Sequence, residues 1–424
     1  MRHRLGRLMA LVMLGGALAA CTSDYDAAED TASEATAAVA ATASTAPLQT
    51  TTEARLGAWE ACATPQNLPE SIPLGVNLGL TGVTAQYSIP QQQGIQLAID
   101  EINSSGYLNG ATLRGIYEDS GDNNEGAIAA MEKLIDEDEV IGVIGPSFSR
   151  QAFAADPVAQ EAGIPVIGVT NLAAGITAMG PFIFRVGLLD DAQIRAAVEE
   201  LHTFGVVNEA ALIYSDNDDF TVTGAEVFRE ISAELNIDIV REETFQTGEV
   251  DFNAQLTNLI AAEPDAIFMA ALIAEAIPLV NQTRELGYEG IIVGNNGFNA
   301  PGLLAESGDN AEGIVIGAAW HVSSDNPLNM QFVADYQTRF NALPDQFAAQ
   351  AYTAAWLFAT ALRCGDSAAP DDIRAQLTRI EDFATPLGDF SFNDQRDPVH
   401  AATAQIVMDG QFEILTRARF EEAY

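Results

Sequence analysis

Lysine is almost missing from this 424-residue chain, with Lys133 the single example beside eighteen arginines. Basic residues of both kinds total 19 against 60 Asp and Glu, a formal net charge of −41. So negative a surface repels polyphosphates, which excludes nucleic acid as a partner. It reads as a solvated surface for a salty medium, where salt screens self-repulsion. Histidine is scarce as well. His3, His202, His321 and His400 are scattered, without H-E-x-x-H or any other ligand spacing, so neither a metal site nor a cofactor is expected. No G-x-G-x-x-G follows a predicted strand and no G-x-S-x-G elbow is present, so a dehydrogenase and a serine hydrolase both lack their chemistry, and no enzyme is expected. Beyond the first twenty residues no apolar run reaches the roughly 20 residues needed to span a bilayer without a charge.

What is there begins with Arg2, Arg4 and Arg7, followed by the apolar run 8–20. This has the form of an export signal. It closes in Leu18-Ala19-Ala20-Cys21, which resembles the lipobox of bacterial lipoproteins. Residues 1–21 are therefore expected to be a lipoprotein signal, with Cys21 acylated. The protein would sit outside the cytoplasm, held by lipid to the outer face of the cell membrane or within the periplasm. Residues 22–59 are mostly Ala, Thr, Ser and acids, too poor in bulky side chains to offset chain entropy, and read as a disordered tether. With Cys21 assigned, Cys62 and Cys364 remain. An exported protein keeps disulfides, and these two fit no metal pattern, so a bridge between them is expected.

From residue 60 onward, short runs of Val, Ile, Leu and Ala alternate with amphipathic helical patterns. The spacing predicts strands at 73–80, 112–117, 140–144 and 165–169, with helices at 91–102, 124–134 and 150–162 between them. After 182–187 the pattern restarts, with helices at 191–204, 224–235, 251–262 and 274–286 and strands at 210–214, 237–240, 266–270 and 291–293. Strand 314–318 and helices near 329–340, 346–362 and 369–380 follow, then a strand pair at 388–392 and 402–415 turned at Asp409-Gly410. Right-handed crossovers of this length make parallel sheets covered on both faces, and the chain is long enough for two cores. The fold class is α/β, with two doubly wound parallel-sheet lobes.

Six stretches, GVNLGLTGVTAQY at 75–87, IYEDSGDNNEGAIAAMEKLI at 116–135, VIGVIGPSFSRQAFAADPVAQEAGIPVIG at 140–168, DFNAQLTNLIAAEPDAIFM at 251–269, VGNNGFNAPGLL at 293–304 and AAQAYTAAWLFATAL at 348–362, together resemble the branched-chain amino acid receptor group. This group belongs to the type I periplasmic binding proteins of ABC importers. The resemblance implies a three-crossover hinge, with lobe I at 60–189 and 320–386 and lobe II at 190–319 and 387–424. It implies a monomer that closes on a small polar solute, an amino acid or a relative of one, and delivers it to membrane permease subunits. A ligand-sensing receptor not coupled to transport, and a receptor for short amides, urea or small carboxylic acids, fit the same residues.

In open α/β sheets ligands lie beyond the carboxyl ends of the strands. Those ends offer Tyr87, Ser147, Ser149, Thr170 and Asn171 in lobe I, whose hydroxyls and helix-start N–H groups suit an anion. In lobe II they offer Asp216, Asp218, Asp219, Phe220, Glu275, Asn295 and Asn296. The resemblance implies that Ser149 and Thr170 hold the ligand's carboxylate, with Tyr87 packed beside it and Phe220 covering it. Asn296 stands where such receptors commonly place an acid for the ligand's ammonium, so a cationic group would need Glu275 or a loop aspartate instead.

Overall fold

The computed structural model describes residues 55–424; the expected signal, Cys21 and most of the expected tether lie outside them. The end of that tether is folded, because Leu56 is buried in a core and Trp59 packs edge-on to Tyr107, ring centroids 4.8 Å apart. Composition averaged over 22–59 hides these two bulky side chains. Cys62 is disulfide-bonded to Cys364, with Cα atoms 5.0 Å apart. Next to it, the Arg363 guanidinium donates to the carbonyls of Tyr107, Trp59 and Cys62 at 2.6, 3.2 and 3.3 Å. The amino-terminal approach is thus strapped to the first lobe.

In chain order the first lobe contains β1 (Ser71–Leu78), α1 (Ala85–Ser105), β2 (Thr112–Asp119), α2 (Asn124–Asp136), β3 (Val143–Ile144), α3 (Ser149–Ala162), β4 (Val166–Gly168) and β5 (Ile183–Arg185). All five strands are parallel, in the order β2-β1-β3-β4-β5. Ile72, Leu74, Val76 and Leu78 of β1 are fully buried, and so is Asn77 on its other face, as a strand covered by helices on both sides requires. Helix α1 begins six residues before the expected Gln91, since Pro90 is carried inside it. Buried Tyr87 and Ser88 anchor that extra turn, a tertiary preference that overrides the proline signal.

The second lobe follows with α4 (Asp190–Phe204), β6 (Glu209–Ser215), α5 (Asp219–Leu235), β7 (Asp238–Phe245), α6 (Asn253–Ile260), β8 (Ala266–Ala270), α7 (Ile273–Glu285), β9 (Ile291–Gly294), α8 (Pro301–Ser307) and β10 (Val315–Ala318). Helix α5 also starts early, because the Asp218 carboxylate caps it by accepting from Phe220 N and Thr221 N. The chain then returns to the first lobe as α9 (Pro327–Phe340), α10 (Gln346–Gly365) and α11 (Pro370–Leu377). Residues 346–363 of α10 are buried all round, as befits a helix with no solvent face. It lies so close to α1 that a Cβ on Gly94 would sit 2.2 Å from the Ala348 carbonyl.

Strands β11 (Phe383–Thr385), β12 (Gly388–Phe392) and β13 (Pro398–Val399) form a small antiparallel sheet. Phe390 and Phe392 sink into the first lobe's core, which corrects the expectation that lobe II resumes at 387. It also separates 388–392 from the expected partner at 402–415. That stretch is itself a hairpin, β14 (Thr403–Met408) and β15 (Gln411–Ile414), turning at Asp409-Gly410 and followed by α12 (Arg417–Ala423). It extends the second sheet to β15-β14-β10-β9-β8-β6-β7. The chain therefore crosses between the lobes three times, near 189, 320 and 400.

Candidate ligand-binding cleft

The order of the first sheet reverses between β1 and β3, and that of the second between β6 and β8. At such switch points the loops leaving the strand ends diverge and open a crevice. Here the two crevices face each other. Tyr87, Phe148, Ser149, Thr170 and Phe347 from the first lobe and Asp218, Phe220, Leu272, Asn296 and Gly297 from the second line one cavity of about 20 Å³, room for about one water molecule. The lobes are shut, so any solute must enter through hinge opening.

Tyr87 spans the closed gap. Its hydroxyl donates to Gly297 O at 2.7 Å and accepts from Ile273 N at 2.8 Å, both in the second lobe. Burial pushes the phenol far above its usual range, more strongly than the Ile273 bond lowers it, so it stays protonated and able to donate. Phe148 and Phe347 stand edge-on to its ring at 5.8 and 5.1 Å. The ends of the lobes thus meet through an aromatic wall.

Six of the twelve residues offered at the strand ends line the cavity: Tyr87, Ser149, Thr170, Asp218, Phe220 and Asn296. Their free valences differ. Ser149 Oγ accepts from Ala173 N at 3.0 Å and keeps a proton to donate, beside the first N–H groups of α3, which have no intrahelical partner. Thr170 Oγ1 donates to Ser147 O at 3.1 Å and accepts from Gln91 Nε2 at 3.0 Å, so its proton is committed within the lobe.

Ser147, Asn171 and Glu275 do not reach the cavity. Ser147 donates to Gln91 Oε1, and Asn171 Nδ2 donates to Pro146 O at 2.8 Å, so both brace the loops that Ser149 and Thr170 stand on. Glu275 Oε1 accepts from Gly248 N at 2.8 Å. It lines a wider cavity of about 570 Å³ at the cleft mouth with Arg150 and Asp122. The acid at the inner cavity is instead Asp218, whose Oδ1 caps α5. Burial raises its carboxyl, against the pull of the Thr221 N–H and of Arg150. Phe148, Leu272 and Phe347 are contacts that strand-end reasoning misses. Phe148 lies between two expected contacts, but only tertiary packing brings Phe347 in.

Asp190, at the first crossover, holds the far wall. It is 1% exposed, and its carboxyl accepts from Asn295 Nδ2 at 3.4 Å. Burial pushes it from 3.8 up to about 7, outweighing the pull of the Asn295 and Asn296 donors and of the Arg185 charge. A carboxyl raised on folding favours the protonated native state. Its contribution to stability is full below about pH 4 and is lost as pH rises through about 7. Urea midpoints should fall across that window, and Asp190→Asn should remove a share of the fall worth on the order of a few kcal/mol. A variant whose pH profile parallels that of the unaltered protein would refute this.

Two α/β lobes, three crossovers and a switch-point cleft define a solute-binding protein of the periplasmic type. Residues 71–411 match the periplasmic binding protein family, and the chain belongs to it. A Pseudomonas aeruginosa relative named leucine-, isoleucine-, valine-, threonine- and alanine-binding protein is 25% identical over 329 residues, covering 77% of this chain and 87% of that protein. The branched-chain amino acid transporter substrate-binding protein of Streptococcus pneumoniae, solved with isoleucine, superposes with a TM-score of 0.76 at 28% identity, over 81% of this chain and 98% of its own. A solute-binding protein from Rhodopseudomonas palustris, solved with benzoate, shares the fold with a TM-score of 0.74 at 21% identity, over 81% of this chain and 95% of its own.

Proposed function

We propose that this chain is a lipid-anchored receptor that captures an amino acid or a close relative between its lobes and passes it to an ABC importer. The observation that carries this reading is that loops from both switch points meet at one cavity whose polar rim pairs a free hydroxyl, Ser149, with an acid, Asp218. Once the hinge has opened to make room, that pair suits a zwitterion. Its carboxylate goes to Ser149 and the start of α3, its ammonium to Asp218, and its side chain to Tyr87, Phe148, Phe220, Leu272 and Phe347. Because the protein is strongly negative, an anionic end is repelled at long range and is held by short, directional donors. The sequence from Leu18 to Cys21 supports the anchor.

A thermal-shift panel of amino acids, short amides, urea and aliphatic and aromatic carboxylic acids on residues 53–424 tests it. A ligand at 100 times its Kd stabilises by about 2.7 kcal/mol. Ser149→Ala should then weaken the best ligand by about 1.5–3 kcal/mol, roughly tenfold or more. Asp218→Asn keeps the α5 cap and should weaken zwitterions but spare their neutral or anionic analogues. Stabilisation by aromatic acids alone would replace the amino acid reading, and an unchanged Kd in both variants would remove the site.

A further inference from the structure

An amide side chain offers a donor from one end and an acceptor from the other, so its meaning at a site depends on which end faces the ligand. At Asn296 the protein settles this through a chain of hydrogen bonds that starts from an unambiguous donor. Ala319, just beyond β10 on the second crossover, donates its backbone N–H to Gln346 Oε1 at 3.1 Å. A backbone N–H can only donate, so the atom it meets on Gln346 is the oxygen. The other end, Gln346 Nε2, therefore donates, and its partner is Asn296 Oδ1. With Oδ1 engaged, the side-chain atom left to the cavity that Asn296 lines is Nδ2. Among the described residues Nδ2 has no protein acceptor. Gln346 is 2% exposed and Asn296 3%, so water does not compete readily for either amide.

We propose that Gln346 locks Asn296 with its N–H toward the ligand, so that the second lobe selects a solute presenting an acceptor oxygen, a carbonyl, hydroxyl or carboxylate, at that point. This rests on the reading of the cleft as an amino acid site, and it makes Asn296 a specificity-determining residue and Gln346 its positioning residue. A cationic group on the ligand has no place at Asn296 and goes to Asp218. Since Gln346 also grips the crossover backbone, the polarity shown to the ligand is tied to the position of the hinge.

The test uses two probes with one carbon skeleton, L-leucine and 4-methyl-2-oxopentanoate, in which a carbonyl oxygen replaces the ammonium. Calorimetry on residues 53–424 gives the ratio of the oxo acid's Kd to that of leucine. Measurement in 1 M NaCl, where charges are screened beyond about 3 Å, keeps general repulsion from deciding the result. Asn296→Leu, which removes the donor without adding charge, should raise the ratio tenfold or more, and Asn296→Asp should raise it further. Gln346→Glu touches no ligand, yet it should raise the ratio as well. The carboxylate it introduces would accept from both Ala319 N and Asn296 Nδ2, turning Oδ1 to the cleft. An unchanged ratio in Asn296→Leu and Asn296→Asp overturns the selection. A shift in those two with none in a folded Gln346→Glu overturns the lock. If neither probe binds the unaltered protein, the amino acid reading falls and this inference with it, an outcome distinct from an unchanged ratio.

Discussion

Tyr87→Phe should weaken ligand binding by about 1–3 kcal/mol, roughly five- to a hundredfold in Kd, with little change in the stability of either lobe. The expectation follows from the two bonds of the hydroxyl across the cleft, to Gly297 O and from Ile273 N. Both exist only when the lobes are shut. Removing the oxygen leaves a buried N–H and a buried carbonyl unpaired in the closed form, while the open form hydrates them. The loss therefore falls on closure, and small-angle scattering of the variant at subsaturating ligand should show a larger radius of gyration. Equal affinity and an equal profile would mean that the hydroxyl is no latch.

The largest effect on stability is expected at Asp397. Arg185, 2% exposed, donates Nε to Asp397 Oδ1 at 2.6 Å and Nη1 to the carbonyls of Asn171 and Ala173 at 3.0 and 2.9 Å. Asp397→Ala leaves this guanidinium buried without its paired carboxylate, which should cost about 3–5 kcal/mol in urea denaturation. Replacing both partners with apolar residues of similar size should cost much less, because desolvation of the pair is then avoided. A single variant within about 1 kcal/mol of the unaltered protein would refute the argument. The same change should loosen residues 171–173, and with them the Ala173 N–H that holds Ser149 Oγ.

Much of the fold is legible in the sequence because alternation of apolar runs with 3.6-residue periodicity is a local signal. Strand 266–270 and the helix start at Asn124 stand where the pattern puts them. The departures have long-range causes. Pro90 and Gly224 carry the local signals of helix boundaries, yet Tyr87 and the Asp218 cap extend both helices beyond them. Short β11 carries too few residues for a pattern, and the small sheet around Phe390 belongs to the first lobe only because of what its rings pack against. In the cleft, strand ends point to the right loops, but not to the direction of each side chain. Ser147 and Asn171 turn inward to brace, Glu275 turns to the mouth, and Phe347 arrives from a helix some two hundred residues away from the loop it joins.

The strap at the amino-terminal approach also sets how force enters the molecule. A pull applied at residue 55 passes through Leu56 and the Trp59 carbonyl to Arg363, and through the Cys62–Cys364 bond to the end of α10. That path stays within the first lobe and bypasses all three crossovers. Tension from the amino-terminal side therefore does no work on the opening angle, and the second lobe swings on its hinge as an unloaded arm. A load applied at residue 55 would leave the closure equilibrium of the two lobes unchanged.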